Sequence, residues 1–114
     1  MGSTTRPLRG RRVFSRMSAS GTRVRRGLLT VVVGDPTAVP EVGFAIGKHV
    51  GGAVVRNKLR RRLRTLLDQH ELPNRALLLR PQAAAANCTF AELRAAVDDA
   101  LGAVARIVLQ LQVS

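Results

Sequence analysis

Between Arg56 and Arg64 the sequence reads Arg-Asn-Lys-Leu-Arg-Arg-Arg-Leu-Arg, six cations in nine positions. Side chains of this kind at this density make and break no bonds; they neutralise phosphates. The planar Arg fork also matches two phosphate oxygens at once and can stack on a base. Like charges at i and i+4, such as Arg56, Arg60 and Arg64, each cost an isolated helix about 0.2–0.5 kcal/mol per pair, a cost that a bound anion offsets. No competing hydrolytic centre is visible. A nuclease acting alone needs an acid/base pair or a carboxylate metal cluster, and the first 67 residues contain only Asp35 and Glu41, both in a turn region. Asp98 and Asp99 read as a solvated helix face. Cys88 is the single cysteine, which excludes an internal disulfide and a Cys-based zinc site, and two histidines, His49 and His70, are too few for a His-rich metal centre. No metal ligand on the protein is assigned.

The rest of the chain must hold that segment in place. Its 114 residues, 46% of them hydrophobic, suit one domain with a real core. The formal charge of +12 points to a polyanion. Residues 1–67 carry 15 basic and 2 acidic side chains, residues 68–114 carry 4 and 5, and 17 of the 19 cations are Arg. Nucleic acid is therefore favoured over a membrane surface. The longest apolar runs, around Leu28–Val33 and Ala76–Leu79, fall far short of a membrane span, so a soluble chain is expected. Residues 1–26, rich in Arg, Ser and Thr and free of acid, also resemble an organelle transit peptide in composition. The elements below account for them better.

Residues 1–7 read as a loose tail and 8–114 as one RNA-binding domain. Leu8, Val13, Phe14 and Met17 fall near one side of a short helix over Leu8–Ala19, with Arg9, Arg12 and Arg16 around the rest, ended by Ser20-Gly21-Thr22. The segment from Met17 to Arg26 leaves room for an edge strand. Gly27–Val33 and Val42–Ile46 read as strands, and the connection of about eight residues between them suits an antiparallel pair. Ala53–Leu67 is a helix whose Val55, Leu59, Leu63, Leu66 and Leu67 form one apolar stripe. Asn57, Lys58, Arg60, Arg61 and Arg64 lie across its opposite face, with Arg56 and Arg62 flanking the stripe. Ala76–Leu79 reads as a buried strand and Ala83–Ala86 as a loose connection or a frayed turn. Thr89-x-x-Glu92 is a capping box opening a last helix with Phe90, Leu93, Val97, Leu101, Val104 and Val108 inward. The order α-β-β-(β)-α-β-α describes an α/β (α+β) two-layer sandwich with a small mixed sheet.

The string Lys48-His-Val-Gly-Gly-Ala-Val-Val-Arg-Asn-Lys-Leu-Arg-Arg-Arg-Leu-Arg64 resembles the signature of the bacterial ribonuclease P protein subunit, which runs approximately Lys-Lys-(Ile/Val)-Gly-Asn-Ala-Val-x-Arg-Asn-(Arg/Lys)-x-(Lys/Arg)-Arg-x-(Leu/Ile)-Arg. Lys48, Gly51, Ala53, Val54, Arg56, Asn57, Lys58, Arg60, Arg61 and Arg64 match. The likeness continues upstream around Phe14 and Gly21-Thr22 and downstream through Leu77–Arg80 and Thr89-Phe90-x-Glu92. His49 stands where the family usually has Lys, Gly52 where it has Asn, Ser18 where a second Phe is common, and Leu67 where an aromatic often sits.

The resemblance implies a domain like the second domain of ribosomal protein S5, with a left-handed crossover around the basic helix. It implies an auxiliary role in which a catalytic RNA, using Mg²⁺ bound mainly by the RNA and no organic cofactor, removes the 5′ leader of precursor tRNA. By the same resemblance Lys48, Arg56, Asn57, Lys58, Arg60, Arg61 and Arg64 contact the catalytic RNA. Arg12, Phe14, Arg16 and Phe44 form a cleft for the leader. The implied particle is a cytoplasmic 1:1 ribonucleoprotein with one protein monomer. From the residues alone Phe14 is either a leader contact or a helix anchor, and Phe44 either a core residue or an RNA contact. With 3% aromatics, stacking on the leader is expected to be weak and backbone electrostatics to carry more of the affinity. Two other classes compete: a structural rRNA-binding protein of similar fold, and a helix-mediated DNA binder. The second lacks the paired helix joined by a short turn that a DNA reader shows.

Overall fold

The computed structural model describes residues 5–8 and 10–113, the side chains at 11, 12, 18 and 113 excepted. Five strands form one mixed sheet: β1 (Arg6–Pro7), β2 (Thr22–Arg26), β3 (Leu29–Pro36), β4 (Glu41–Phe44) and β5 (Arg75–Pro81), in the spatial order β1-β4-β5-β3-β2. Three helices accompany them: α1 (Arg11–Ser20), α2 (Ala53–Leu67) and α3 (Phe90–Val113). The connection after β5 contains a 3₁₀ turn at Ala83–Asn87, the turn of the two expected readings.

The two central strands explain the layering. β5 has Leu77 and Leu79 on one face and Ala76 and Leu78 on the other, all buried. β3 does the same with Val31 and Val33 against Val32. Period-2 alternation of side chains means that a strand apolar throughout must be covered on both sides. One face carries the larger core, where Leu59, Leu63, Leu66 and Leu67 of α2 and Leu93, Val97, Leu101, Val104 and Val108 of α3 pack on the sheet. The other face carries a smaller cluster, Leu8 and Met17 with Val32, Ala76 and Leu78, flanked by Val13 and Phe14 of α1.

Three expectations change. The strands that follow one another as β3 and β4 do not pair. β5 lies between them, antiparallel to β3 and parallel to β4, so β4, α2 and β5 form a parallel crossover unit. The fully apolar Ala76–Leu79 run takes the central position because it can be buried on both faces. The first helix starts at Arg11, three residues later than expected. Arg6 and Pro7, expected in the tail, pair with Glu41 and Val42, held by Arg6 N–H to Pro40 O (2.8 Å) and Leu8 N–H to Val42 O (2.9 Å). The edge strand foreseen before Arg26 is β2.

α3 opens on the expected capping box. Thr89 N–H donates to Glu92 Oε1 at 2.8 Å, and Glu92 N–H donates to Thr89 Oγ1 at 3.1 Å. The Thr89 backbone N–H and, after it, the Thr89 side chain hold the Glu92 carboxyl below its ordinary value. The acids of α3 are not merely solvated. Asp98 meets His70 Nε2 at 2.8 Å and Asp99 lies 3.8 Å from Arg26, tying α3 to the end of α2 and to β2.

Candidate nucleic-acid interface

α2 forms as its spacing dictates. Its buried leucines face the sheet, and Asn57, Lys58, Arg61 and Arg64 are exposed on the other side. Arg56 and Arg60 are half-buried. Arg60 Nη1 donates to Asn57 Oδ1 at 3.0 Å, which fixes the guanidinium across the outer face. Arg56 Nε is enclosed without a hydrogen-bond partner, so Arg56 is partly a packing residue. Lys48 is exposed in the turn before α2. The helix begins at Gly52 without a side-chain cap and without an acid in its first turn, leaving its positive end uncompensated. All seven residues assigned to one RNA thus lie on α2 or its N-terminal approach.

The four residues expected to form a second cleft are not brought together. Phe14 and Arg16 are on α1. Phe14 is half-buried, with its ring tip directed at Gly43 so closely that a Cβ there would lie 3.1 Å from Cζ. Arg16 is exposed and 3.6 Å from Asp35, a contact worth little at such exposure. The Arg12 side chain lies outside the described residues. Phe44 belongs elsewhere: it shares its phase on β4 with Val42, packs against the larger core, and has the Arg64 guanidinium 5.6 Å above its ring. The two rings occupy opposite faces of the sheet, because side chains on one strand alternate and Gly43, not Phe44, turns toward α1.

Three strand arginines, Arg23, Arg25 and Arg80, lie on the face of the sheet that Phe14 shares. The register aligns Arg25 with Thr30 and Thr30 with Arg80, one row across β2, β3 and β5. The next row, about 7 Å away by strand geometry, runs Arg23, Val32, Leu78, Gly43 and ends at Phe14. α1 covers Val32 and Leu78 but leaves the Arg25 row open. Arg23, Arg25, Arg80 and His49 line a depression of about 560 Å³ there, its floor fixed by Gln82 Nε2 donating to Thr30 Oγ1 at 3.0 Å. The signal was available: in Arg23-Val24-Arg25 a buried valine sits between two arginines, which by period 2 must share the opposite face.

The arrangement is two cationic surfaces on opposite sides of one sheet. A family model for ribonuclease P matches residues 3–105. The chain belongs to the ribonuclease P protein family. Members are the protein part of an endoribonuclease that works with an RNA subunit in 5′ processing of tRNA, and the match disfavours a purely structural rRNA-binding role. The ribonuclease P protein component of Beutenbergia cavernae is 40% identical over 93 residues, covering 77% of this chain and 78% of the relative. That of Thermus thermophilus is 42% identical over 86 residues, covering 75% and 52%, so the chain matches about half the length of this relative. Among solved structures the RNase P protein of Staphylococcus aureus superposes with a TM-score of 0.78 at 18% identity, over 86% of this chain and 94% of that one. The RNase P protein from Thermotoga maritima gives 0.74 at 19%, over 83% and 94%. At these identities the structural likeness shows the shared ribonuclease P protein fold.

Among the described residues no group of three or more His, Cys, Asp or Glu side chains could hold a metal ion, and no helix is long and apolar enough to cross a membrane.

Proposed function

We propose that this chain serves as the protein component of ribonuclease P by engaging two RNAs at once: the catalytic RNA through α2, and the 5′ leader of precursor tRNA through the open sheet face beside α1. The observation that carries this reading is the placement of the two cationic surfaces on opposite faces of the same sheet. A helix face carrying Asn57, Lys58, Arg60, Arg61 and Arg64 suits the phosphates of structured RNA, which is read by shape and backbone. Lys48 and Arg56 extend that contact at the N-terminal end of the helix.

The leader is single-stranded. Such a strand is held by a basic groove that follows its backbone and by aromatic side chains on which bases stack. Arg23, Arg25 and Arg80 supply the groove, Phe14 the stacking surface at its α1 end, and Arg12 and Arg16 further positive charge. Binding the leader adds affinity for precursor that the mature product lacks. This is how the protein favours substrate over product without touching the scissile bond.

Mg²⁺, held mainly by the RNA in this reading, would supply the hydrolytic chemistry there. The protein's cations reduce phosphate repulsion as the RNAs approach and so lower the Mg²⁺ that assembly requires. The particle contains one protein copy per catalytic RNA and works in the cytoplasm.

Adding the chain to a matching catalytic RNA and precursor tRNA at low Mg²⁺ should stimulate 5′ cleavage, and Arg60→Ala with Arg61→Ala should remove most of the stimulation. No stimulation by the unaltered chain would overturn the reading.

A further inference from the structure

Beside the outer face of α2 lies a groove of about 300 Å³. Phe44, Leu67 and Leu72 give it apolar walls, and Arg6, Arg64 and Asp68 stand among its lining. Its size is at the small end for ligand pockets, enough for one base and too small for a strand. Arg64 lies over the Phe44 ring at 5.6 Å, and an arginine paired with an aromatic ring is a surface on which bases stack.

The groove does not open onto the leader cleft, since Phe44 is on the sheet face opposite Phe14. It shares Arg64 and Asp68 with a shallow surface along Asn57, Arg60 and Arg61. It is therefore continuous with the face that meets the catalytic RNA.

Asp68 is the informative residue. It closes α2, its backbone N–H bonded to Arg64 O at 3.0 Å, and it places an exposed carboxylate on an otherwise cationic surface. A carboxylate repels phosphate but accepts two parallel N–H bonds. Of the four RNA bases only guanine presents two adjacent N–H donors, N1–H and N2–H, on its pairing edge.

Resting on the two-RNA reading above, we propose that this groove binds a single unstacked guanine of the catalytic RNA, stacked against Phe44 and Arg64 and read at its edge by Asp68. The phosphates on either side of that guanine lie toward Arg6 and Arg61.

The test uses the full chain and mononucleotides as probes. In NMR titrations, GMP should shift the Phe44 and Leu72 signals at concentrations where AMP, CMP and UMP do not. Asp68→Asn, an exposed change that leaves the core alone, should bring GMP and AMP within about twofold of each other. Phe44→Leu, which keeps an apolar group in the core, should weaken catalytic-RNA binding by about tenfold, within the range seen when a base loses its aromatic partner. It should leave unchanged the ratio of affinities for precursor with and without a leader. Equal shifts from all four nucleotides, an Asp68→Asn variant that still prefers GMP, or unchanged catalytic-RNA affinity in Phe44→Leu would each overturn the site. So would a collapse of the leader ratio in Phe44→Leu, which would assign the ring to the leader. Failure of the unaltered chain to bind catalytic RNA at all would overturn the functional reading and, with it, this source of the guanine.

Discussion

Gly43 and Gly21 decide how closely α1 can lie on the sheet. A Cβ at Gly43 would stand 3.0 Å from Leu8 Cβ and 3.1 Å from Phe14 Cζ, contacts that both Leu8 and Phe14 must yield to. Gly43→Ala should therefore cost about 1 kcal/mol of stability, as mild overpacking does, and weaken binding of leader-bearing precursor; thermal unfolding and precursor titration check both. Gly21 is less forgiving. There a Cβ would meet Val32 Cγ1 at 2.5 Å and the Met17 backbone carbonyl at 2.6 Å, so Gly21→Ala should cost roughly 1–3 kcal/mol or more. Glu92 gives a pH signature. Its folded value is lowered first by the Thr89 backbone N–H and then by the Thr89 side chain, so the stability it adds is present above the ordinary carboxylate value and lost as pH falls through the lowered one. Glu92→Gln should be less stable than the unaltered chain at neutral pH, with the gap closing in acid. A gap that stays constant across the acid range would show the charge to be irrelevant.

At the scale of elements, α2 was the most legible part of the sequence. Its stripe from Val55 to Leu67 and its cationic outer face follow from a 3.6-residue period alone, and the boundaries agree with the structure, as do the faces except that Val55 and Arg60 are half-buried. β4 was the least legible. Val42-Gly-Phe-Ala-Ile46 is apolar without alternation, because its strand is covered on both faces, so no local pattern says which way Phe44 turns. Its pairing with β5 is likewise non-local and depends on which run can fill the centre of the sheet. β2 was readable in principle, since Val24 marks the buried phase, but two arginines within one Arg-rich half gave no contrast to single them out. The phosphate contacts proposed for α2 carry a definite salt dependence. Replacing Arg61, exposed on the outer face, should weaken catalytic-RNA binding and reduce the slope of log K against log salt by about one counterion. An unchanged slope would remove Arg61 from the interface.

For the whole molecule, the sheet is a partition. Its centre is apolar on both sides, with Leu77 and Leu79 facing α2 and α3 and Ala76 and Leu78 facing α1. The net charge of +12 is divided between the surfaces that flank it. Leu78→Ala should cost about 2–5 kcal/mol by leaving a cavity in the central strand, and chemical denaturation would show it as a shifted midpoint. The near-neutral segment after Leu67 is mostly scaffold, with Arg80 placed on the open face of the sheet. If the two surfaces act on different RNAs, a paired binding measurement on Arg25→Ala/Arg80→Ala separates them. Affinity for catalytic RNA should be unchanged, and the preference of the assembled particle for precursor with a leader over precursor without one should be lost. A parallel fall in both affinities, with the leader preference intact, would contradict it.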